Sequence, residues 1–281
     1  MQKARVASVS YLNALPLTWG LSRGSFQDQF ELAFHSPAEC ARLLQEGMVD
    51  MALIPSVEFE RTRGLVPLPG TGVVSCREVR SVLLMTRVEP AAIRTLAVDL
   101  NSRTSVALTQ IVLGRVHGCR PALIPMLPEP ETMLQRCDAA LVIGDPALRA
   151  SVIAGSLAGG QGPRIIDLAG AWHALTGLPF VFAFWACRPV LDVAATCPIL
   201  ERSLQEGQQA IGRIASEEAQ RTGIEAPEIE SYLRRNIRYR IGPEEQDSLR
   251  LFFRLCREEG LIAGQERPAR SPSKSLTVNN G

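Results

Sequence analysis

The chain has 281 residues, is 46% hydrophobic and 21% charged, and carries a formal net charge of +1. This balance is that of an ordinary globular protein long enough for two domains, and the near-neutral charge argues against nucleic acid or an acidic membrane surface as a partner. The longest apolar run, Leu178–Cys187, is about half as long as a membrane-spanning helix requires.

The N-terminal residues and the cysteines indicate where the protein works. The first residues, MQKARVASVSYLN, are charged and are not followed by an apolar segment, so we expect no signal peptide. The seven cysteines are dispersed without CxxC spacing, which favours a reducing compartment over a disulfide framework or a zinc site. We therefore predict a cytoplasmic protein without a metal.

The first part of the chain predicts alternating strands and helices. Strands are expected at Arg5–Val9, Phe30–Phe34 and Asp50–Pro55. A helix with Pro16 in its first turn follows the first strand, and a second helix begins at the capping box Ser36-Pro-Ala-Glu39. This order, β-α-β-α-β, predicts an α/β unit with a parallel sheet.

The same pattern repeats after an apolar strand at Ser81–Thr86. It comprises strands at Leu96–Val98, Ala122–Ile124 and Asp138–Ile143, with helices at Thr104–His117 and Glu129–Arg136. The third strands of the two units end similar segments, LLQEGMVDMALIP and MLQRCDAALVIG. We interpret these as a weak internal repeat, although two buried strands of similar composition would look alike by chance.

The C-terminal third is mainly helical. An apolar strand at Pro179–Ala186 leads back from the second unit towards the first. Helical patterns follow near Pro198–Arg221, Pro227–Arg235 and Pro243–Glu259, each with proline near its start. Residues 265–281 are rich in Pro, Ser, Arg and Asn and are expected to form a disordered tail.

Two α/β lobes joined by two crossing strands describe a hinged binding fold. We predict that residues 1–88 with 186–264 form lobe I and that residues 89–185 form lobe II. Ligands of such sheets bind beyond the carboxyl ends of the strands. This rule singles out the polar turns that follow strands, which are Ser10–Asn13, Ser56, residues 101–105 and Gly144–Asp145.

Residues 101–105, which we call the anion cradle, form the most informative of these turns. They place Asn101, Ser102, Arg103, Thr104 and Ser105 between a predicted strand and a predicted helix. The first turn of a helix offers unpaired N–H groups and a partial positive charge, so it suits a carboxylate or a phosphate. One of the hydroxyls would cap the helix in any case, but this run of polar side chains exceeds what a cap needs.

Four short segments carry a resemblance to a known family. They are Val9–Leu17 (VSYLNALPL), Asn101–Val106 (NSRTSV), Leu141–Arg149 (LVIGDPALR) and Trp172–Trp185 (WHALTGLPFVFAFW). In this order and spacing they resemble the chorismate dehydratases of the futalosine pathway of menaquinone biosynthesis, the MqnA family. The likeness extends from Val6 to about Gly260 and so covers nearly the whole chain.

The resemblance implies a fold, an activity and two catalytic residues. The fold is the two-lobe type II periplasmic-binding-protein-like fold, here in a cytoplasmic enzyme. The activity is that of a hydro-lyase, a carbon–oxygen lyase that needs no cofactor and converts chorismate to 3-[(1-carboxyvinyl)oxy]benzoate. The implied catalytic residues are Asn13, in the SYLN turn, and Ser81, for which Ser75 is the neighbouring alternative.

Chorismate is a dianion, so its site needs donors to carboxylates in both lobes. The expected substrate-binding residues are Ser10, Tyr11, Ser56, Ser102, Arg103, Thr104, Ser105, Asp145, Thr176 and Gly177. For Asp145 the favoured alternative is a helix N-cap before Pro146. Thr176 and Gly177 would otherwise form a turn that leads into the core.

No histidine is a convincing general base. His35 follows a strand, His117 ends a helix where the dipole favours it, and His173 fits a solvent-facing helix position. We therefore predict that the enolpyruvyl carboxylate of the substrate takes the proton, while Asn13 and Ser81 hold that carboxylate or the leaving hydroxyl. The rival hypotheses are a non-catalytic binding protein for a small organic anion and a ligand-sensing regulatory domain.

Overall fold

The computed structural model describes residues 3–99, 102–156 and 162–263. The predicted tail at 265–281 and Asn101 of the anion cradle therefore lie outside the described residues. The strands are β1 (Ala4–Ser8), β2 (Phe30–Phe34), β3 (Met51–Pro55), β4 (Val66–Ser75), β5 (Val82–Thr86), β6 (Thr95–Val98), β7 (Ala122–Pro125), β8 (Ala139–Ile143), β9 (Arg164–Asp167), β10 (Phe180–Cys187) and β11 (Arg238–Arg240).

The helices cover both sheets and make up most of the C-terminal third. They are α1 (Leu15–Ser22), α2 (Pro37–Gln45), α3 (Ser56–Arg61), α4 (Arg103–His117), α5 (Pro130–Arg136), α6 (Gly144–Ser156), α7 (Leu168–Thr176), α8 (Val193–Gln209), α9 (Ile211–Thr222), α10 (Ala226–Arg235) and α11 (Pro243–Glu258). A single 3-10 turn, Leu12–Ala14, precedes α1. Within the described ranges, every helix is too short or too polar to cross a membrane.

The two sheets share the arrangement of their first four strands in space. The first has the order β2-β1-β3-β10-β4-β11, and the second has the order β7-β6-β8-β5-β9. In each, the first three strands are parallel and the fourth is antiparallel to the third. The common order supports the internal repeat inferred from the similar segments that end in β3 and β8, and it confirms the predicted α/β fold class.

The predicted lobe boundaries differ from the sheets at two strands. β5 was expected in lobe I but pairs with β8 and β9 in the second sheet, whereas β10, most of it expected in lobe II, pairs with β3 and β4 in the first sheet. The chain therefore crosses between the lobes at residues 76–81 and 168–179, next to these strands. An apolar strand suits either sheet, so its sequence does not identify its partner.

The C-terminal helices differ from the prediction in one place. The pattern at Pro198–Arg221 is two helices that meet at Ala210, and Pro198 lies inside α8 rather than at its start. Asp192 is the N-cap residue of α8, and its carboxylate accepts a hydrogen bond from the backbone N–H of Ala195 at 3.1 Å. The helices predicted at Pro227 and Pro243 are present as α10 and α11.

A buried aromatic cluster fixes the second crossing to the core. Trp172 of α7, Phe180 of β10 and Phe252 of α11 meet edge to face, with ring centroids 5.0–6.0 Å apart. The indole N–H of Trp172 donates to the Ser248 hydroxyl at 3.1 Å. The C-terminal helix α11 thus holds α7 and β10 together.

Candidate active site

A cavity between the two lobes brings together most of the polar residues that the sequence singled out. Its polar lining consists of Tyr11, Asn13, Ser81, Ser102, Arg103, Thr104 and Ser105. Its apolar lining includes Leu53, Val73 and Phe182 from the central strands of the first sheet. The cavity lies beyond the carboxyl ends of β1, β3 and β8, which is where ligands of such sheets bind.

The turn after β1 supplies Tyr11 and Asn13. The side chain of Asn13 does not cap a helix, because the N-cap of α1 is Ala14 and α1 has Pro16 in its first turn. The Tyr11 ring lies against Gly144 of the other lobe, where an added Cβ would be 2.9 Å from ring carbons. Gly144 also has φ +66°, so both the close approach and the backbone require glycine.

Ser81, at the end of the first crossing, is held by a tyrosine that the sequence analysis missed. The Tyr232 hydroxyl, on α10, donates to the Ser81 oxygen at 2.7 Å, and both side chains are buried. Burial raises the pKa of Tyr232, while its hydrogen bonds with Ser81 and Asn13 lower it. We call Asn13, Ser81 and Tyr232 the hydroxyl network.

Asp167 fixes the backbone on which Ser81 sits. Its carboxylate accepts hydrogen bonds from the N–H groups of Val79, at 3.0 Å, and Arg80, at 2.6 Å. It also caps α7 through the N–H groups of Ala169 and Gly170, at 3.0 Å each. One carboxylate therefore ties the two crossings together, although burial raises its pKa. Arg80 has a φ of +60°, which is rare for a residue with a side chain.

The opposite side of the cavity is the start of α4. Ser102 stands at its N-cap position, yet its side chain makes no capping bond. The Ser102 hydroxyl oxygen is buried and has no hydrogen-bond partner among the residues that the structure describes. Ser105 is also buried and lines the cavity. An unsatisfied hydroxyl beside the first N–H groups of a 15-residue helix offers donors of the kind that bind anions in proteins.

The other two described residues of the anion cradle contact lobe I. The Thr104 hydroxyl accepts a hydrogen bond from the N–H of Val57 at 3.1 Å. Arg103 pairs with Glu58 at 2.9 Å, so part of its charge is already neutralised. Both contacts join α4 to the start of α3 and hold the two lobes together beside the cavity.

Asp145 has a different role from either one predicted. It lies in the first turn of α6, which begins at Gly144, so it does not cap the helix. Its carboxylate accepts hydrogen bonds from the N–H of Leu12 at 3.1 Å and from Arg221 at 2.8 Å. These contacts again join the lobes and engage both carboxylate oxygens, and Asp145 is not among the residues that line the cavity.

Four further predicted ligands lie off the cavity. The buried Ser56 hydroxyl donates to the backbone oxygen of Val181 at 2.6 Å. The Thr176 hydroxyl donates to the Trp172 oxygen at 2.8 Å, and Gly177, with φ +73°, ends α7. Ser10 lines a neighbouring cavity beside α1 and α9. Ser56, Thr176 and Gly177 thus stabilise the backbone, a role that their sequences do not distinguish from ligand binding.

The ionisable groups that line the cavity, among the described residues, are Tyr11 and Arg103. Burial, with smaller contributions from Asp99 and Asp145, raises the pKa of Tyr11 to about 12, so this phenol is a donor at neutral pH.

His173, expected to face solvent, instead has its Nδ1 atom buried without a partner in the described part of the chain. The described residues contain no cluster of His, Cys, Asp or Glu able to hold a metal.

Comparison with known proteins places this geometry in a family. The sequence model of a family described as menaquinone biosynthesis matches residues 4–258. The chorismate dehydratase of Thermus thermophilus is 31% identical over 255 residues, which are 86% of this chain and 90% of that protein. The chorismate dehydratase of Campylobacter jejuni is 24% identical over 89% of this chain and 96% of its own length.

A solved structure of a binding protein has the same fold as this chain. The periplasmic aliphatic sulphonate-binding protein SsuA of Escherichia coli superposes with a TM-score of 0.63, at 16% identity, over 99% of this chain and all of that protein. At this identity the likeness extends to the fold alone. It confirms the predicted periplasmic-binding-protein-like architecture, in which a ligand is held between two lobes.

Proposed function

The chain belongs to the menaquinone biosynthesis family, and we propose that it is a chorismate dehydratase. One observation of the structure supports this most: a single cavity combines the hydroxyl network with an unsatisfied hydroxyl at the start of α4. The first is suited to a reacting hydroxyl and the second to a carboxylate. Chorismate carries both groups.

The substrate would lie across the cavity with one carboxylate in the anion cradle. Ser102, Ser105 and the first N–H groups of α4 would donate to it, as donors at a helix N-terminus do. The opposite end of the substrate would then meet Asn13 and Ser81. The apolar strands between these two sides, represented by Leu53 and Phe182, suit the flat face of a ring.

The reaction needs a base and stabilisation of the leaving hydroxyl. The C–H bond at the ring carbon that bears the ether breaks, its electrons form the new ring double bond, and the neighbouring C–OH bond breaks. Tyr11 is protonated and Arg103 is a cation, so neither described ionisable lining group is a base. The enolpyruvyl carboxylate takes the proton and passes it to the departing hydroxide, so one water leaves.

Asn13 and Ser81 act in this scheme through hydrogen bonds. Donors aimed at the leaving oxygen stabilise the negative charge that develops on it, and a cavity closed to water strengthens this effect. Aromaticity of the product supplies much of the driving force, so the protein mainly has to orient the substrate. The chemistry needs neither a redox change nor a co-substrate, and we propose that no cofactor takes part.

Incubation of the purified protein with chorismate tests the function. We expect the ultraviolet absorption of the diene to disappear, with 3-[(1-carboxyvinyl)oxy]benzoate formed in equal amount and identified by mass spectrometry. EDTA should not change the rate. Recovery of unchanged chorismate from folded protein would favour the non-catalytic binding protein instead, and activity lost to EDTA but restored by a divalent ion would contradict a cofactor-free mechanism.

A further inference from the structure

Tyr232 reaches the cavity wall from a distant part of the chain. It lies on α10, 151 residues away from Ser81, and its side chain is 1% exposed. Together with Ile229 and Leu233 it forms the buried face of this helix. A phenylalanine would fill the same space, so packing of the core does not require the hydroxyl. Its contact with Ser81, at 2.7 Å, is therefore the feature to explain.

The direction of the hydrogen bonds follows from the groups involved. A phenol is a stronger hydrogen-bond donor than an alkyl hydroxyl, so at 2.7 Å the Tyr232 hydroxyl donates the hydrogen bond and the Ser81 oxygen accepts it. A hydroxyl has one hydrogen, and the Ser81 oxygen already accepts the tyrosine's hydrogen, so the hydrogen of Ser81 is left to donate elsewhere. Ser81 lines the cavity. Its free hydrogen is thus available to a group bound there.

The surroundings of Ser81 are otherwise fixed. The backbone N–H of Arg80 is bound by Asp167, and the carbonyl oxygen of Ser81 accepts from the N–H of Gly144 at 2.8 Å. The main chain therefore cannot turn easily, and the rotation of the serine hydroxyl is the freedom that remains. A neighbouring donor that polarises this hydroxyl removes that freedom before the substrate arrives.

We propose that Tyr232 is a positioning residue for the dehydration, whose hydroxyl orients the Ser81 hydroxyl so that it donates to the leaving group of the substrate. This inference rests on the proposed function. It assigns Tyr232 an effect on turnover rather than on binding, because the tyrosine acts through Ser81 and lies behind it. The ground-state contacts of the substrate remain those of the cavity lining.

The substitution Tyr232→Phe tests this inference, with Tyr239→Phe as the matched control. Tyr239 is also fully buried, but its hydroxyl has no partner among the described residues. We expect Tyr232→Phe to lower kcat by about ten- to a hundredfold, because an aligned donor is lost, while KM changes by less than about threefold. Tyr239→Phe should leave both constants near those of the wild type, with both variants fully folded by circular dichroism.

A double-mutant cycle on unfolding tests the contact without activity. The midpoints of urea unfolding for Tyr232→Phe, Ser81→Ala and the double variant should be non-additive, because each single change breaks the same hydrogen bond. Additive effects, an unchanged kcat in Tyr232→Phe, or equal losses in both tyrosine variants would overturn the inference. A wild-type protein inert towards chorismate would contradict the proposed function as well, whereas an active wild type with an equally active Tyr232→Phe contradicts the inference alone.

Discussion

The two polar sides of the cavity differ in how their hydrogen bonds are satisfied. In the hydroxyl network the oxygen of Ser81 already accepts a hydrogen bond from Tyr232, and Asn13 interacts with the same phenol, so the Ser81 hydrogen is held ready for a ligand. At the start of α4, the Ser102 oxygen is as deeply buried but has no partner in the described ranges. A buried polar atom without a partner is destabilising unless a ligand or water satisfies it.

This difference indicates a division of labour, in which one side of the cavity serves turnover and the other serves substrate binding. Groups that are already hydrogen-bonded need no rearrangement when charge develops, so they stabilise a transition state without further ordering. Groups that are unsatisfied gain most when a ligand arrives, so they contribute to binding. We therefore expect changes in the hydroxyl network to affect kcat and changes at the start of α4 to affect KM.

The substitution Asn13→Asp should have the largest effect. It keeps the shape of the side chain but places a negative charge beside a dianionic substrate and a buried phenol. We expect turnover to fall by about a hundredfold or more, because the donor is lost and a like charge is added. The melting temperature should change little. Wild-type turnover in a folded Asn13→Asp protein would show that Asn13 is not a catalytic residue.

The double substitution Ser102→Ala/Ser105→Ala should come next. Loss of hydrogen bonds to a carboxylate, each worth about 1.5–3 kcal/mol, predicts a KM at least about tenfold higher. Stability should not fall, because the Ser102 hydroxyl is unsatisfied in the absence of substrate. Ser151→Ala/Ser216→Ala, on helices away from the cavity, is the control. A KM equal to that of this control would show that the start of α4 does not bind the substrate.

The smallest expected effect is on the pH dependence of stability, and it concerns Tyr11. Its pKa is about 12 in the fold, compared with an ordinary value of 10.0. The folded state therefore holds this proton more tightly, and the stability that this confers is complete below about pH 10 and is lost as pH rises towards about 12. The loss has a maximum slope of about 1.4 kcal/mol per pH unit.

Urea unfolding of the wild type and Tyr11→Phe over this pH range measures that slope. The variant should lose less stability than the wild type above about pH 10, and the two curves should run parallel below it. The other buried tyrosines are present in both proteins and cancel in the comparison. Parallel curves throughout would mean that Tyr11 is not desolvated.

Much of this molecule is predictable from its sequence. The periods of the apolar residues locate β2 at its observed bounds and β1, β3, β6 and β8 to within a residue at each end. The N-cap of the predicted capping box is present, because Ser36 accepts a hydrogen bond from the N–H of Glu39, at 3.3 Å, whereas the Glu39 carboxylate binds Arg42. These features depend on neighbours in the chain, and such local interactions leave a signature in the sequence.

The missed features depend on contacts between distant residues. Tyr232 looks like a core residue because Ile229, Tyr232 and Leu233 share one face of a helix, and only the folded chain brings its hydroxyl to Ser81. Asp167 likewise looks like a simple helix cap until the first crossing meets it. Ser56 shows the opposite case, a polar turn residue whose hydroxyl serves the backbone.

Binding of the reaction product to two serine variants tests the division of labour most directly. The product, 3-[(1-carboxyvinyl)oxy]benzoate, keeps both carboxylates but cannot react, so titration calorimetry gives Kd for Ser81→Ala, Ser102→Ala and the wild type without turnover. We expect Ser81→Ala to bind within about threefold of the wild type and Ser102→Ala to bind about tenfold more weakly or worse, because its hydroxyl meets a charged acceptor. Equal weakening in both variants, or a larger loss in Ser81→Ala, would contradict the account.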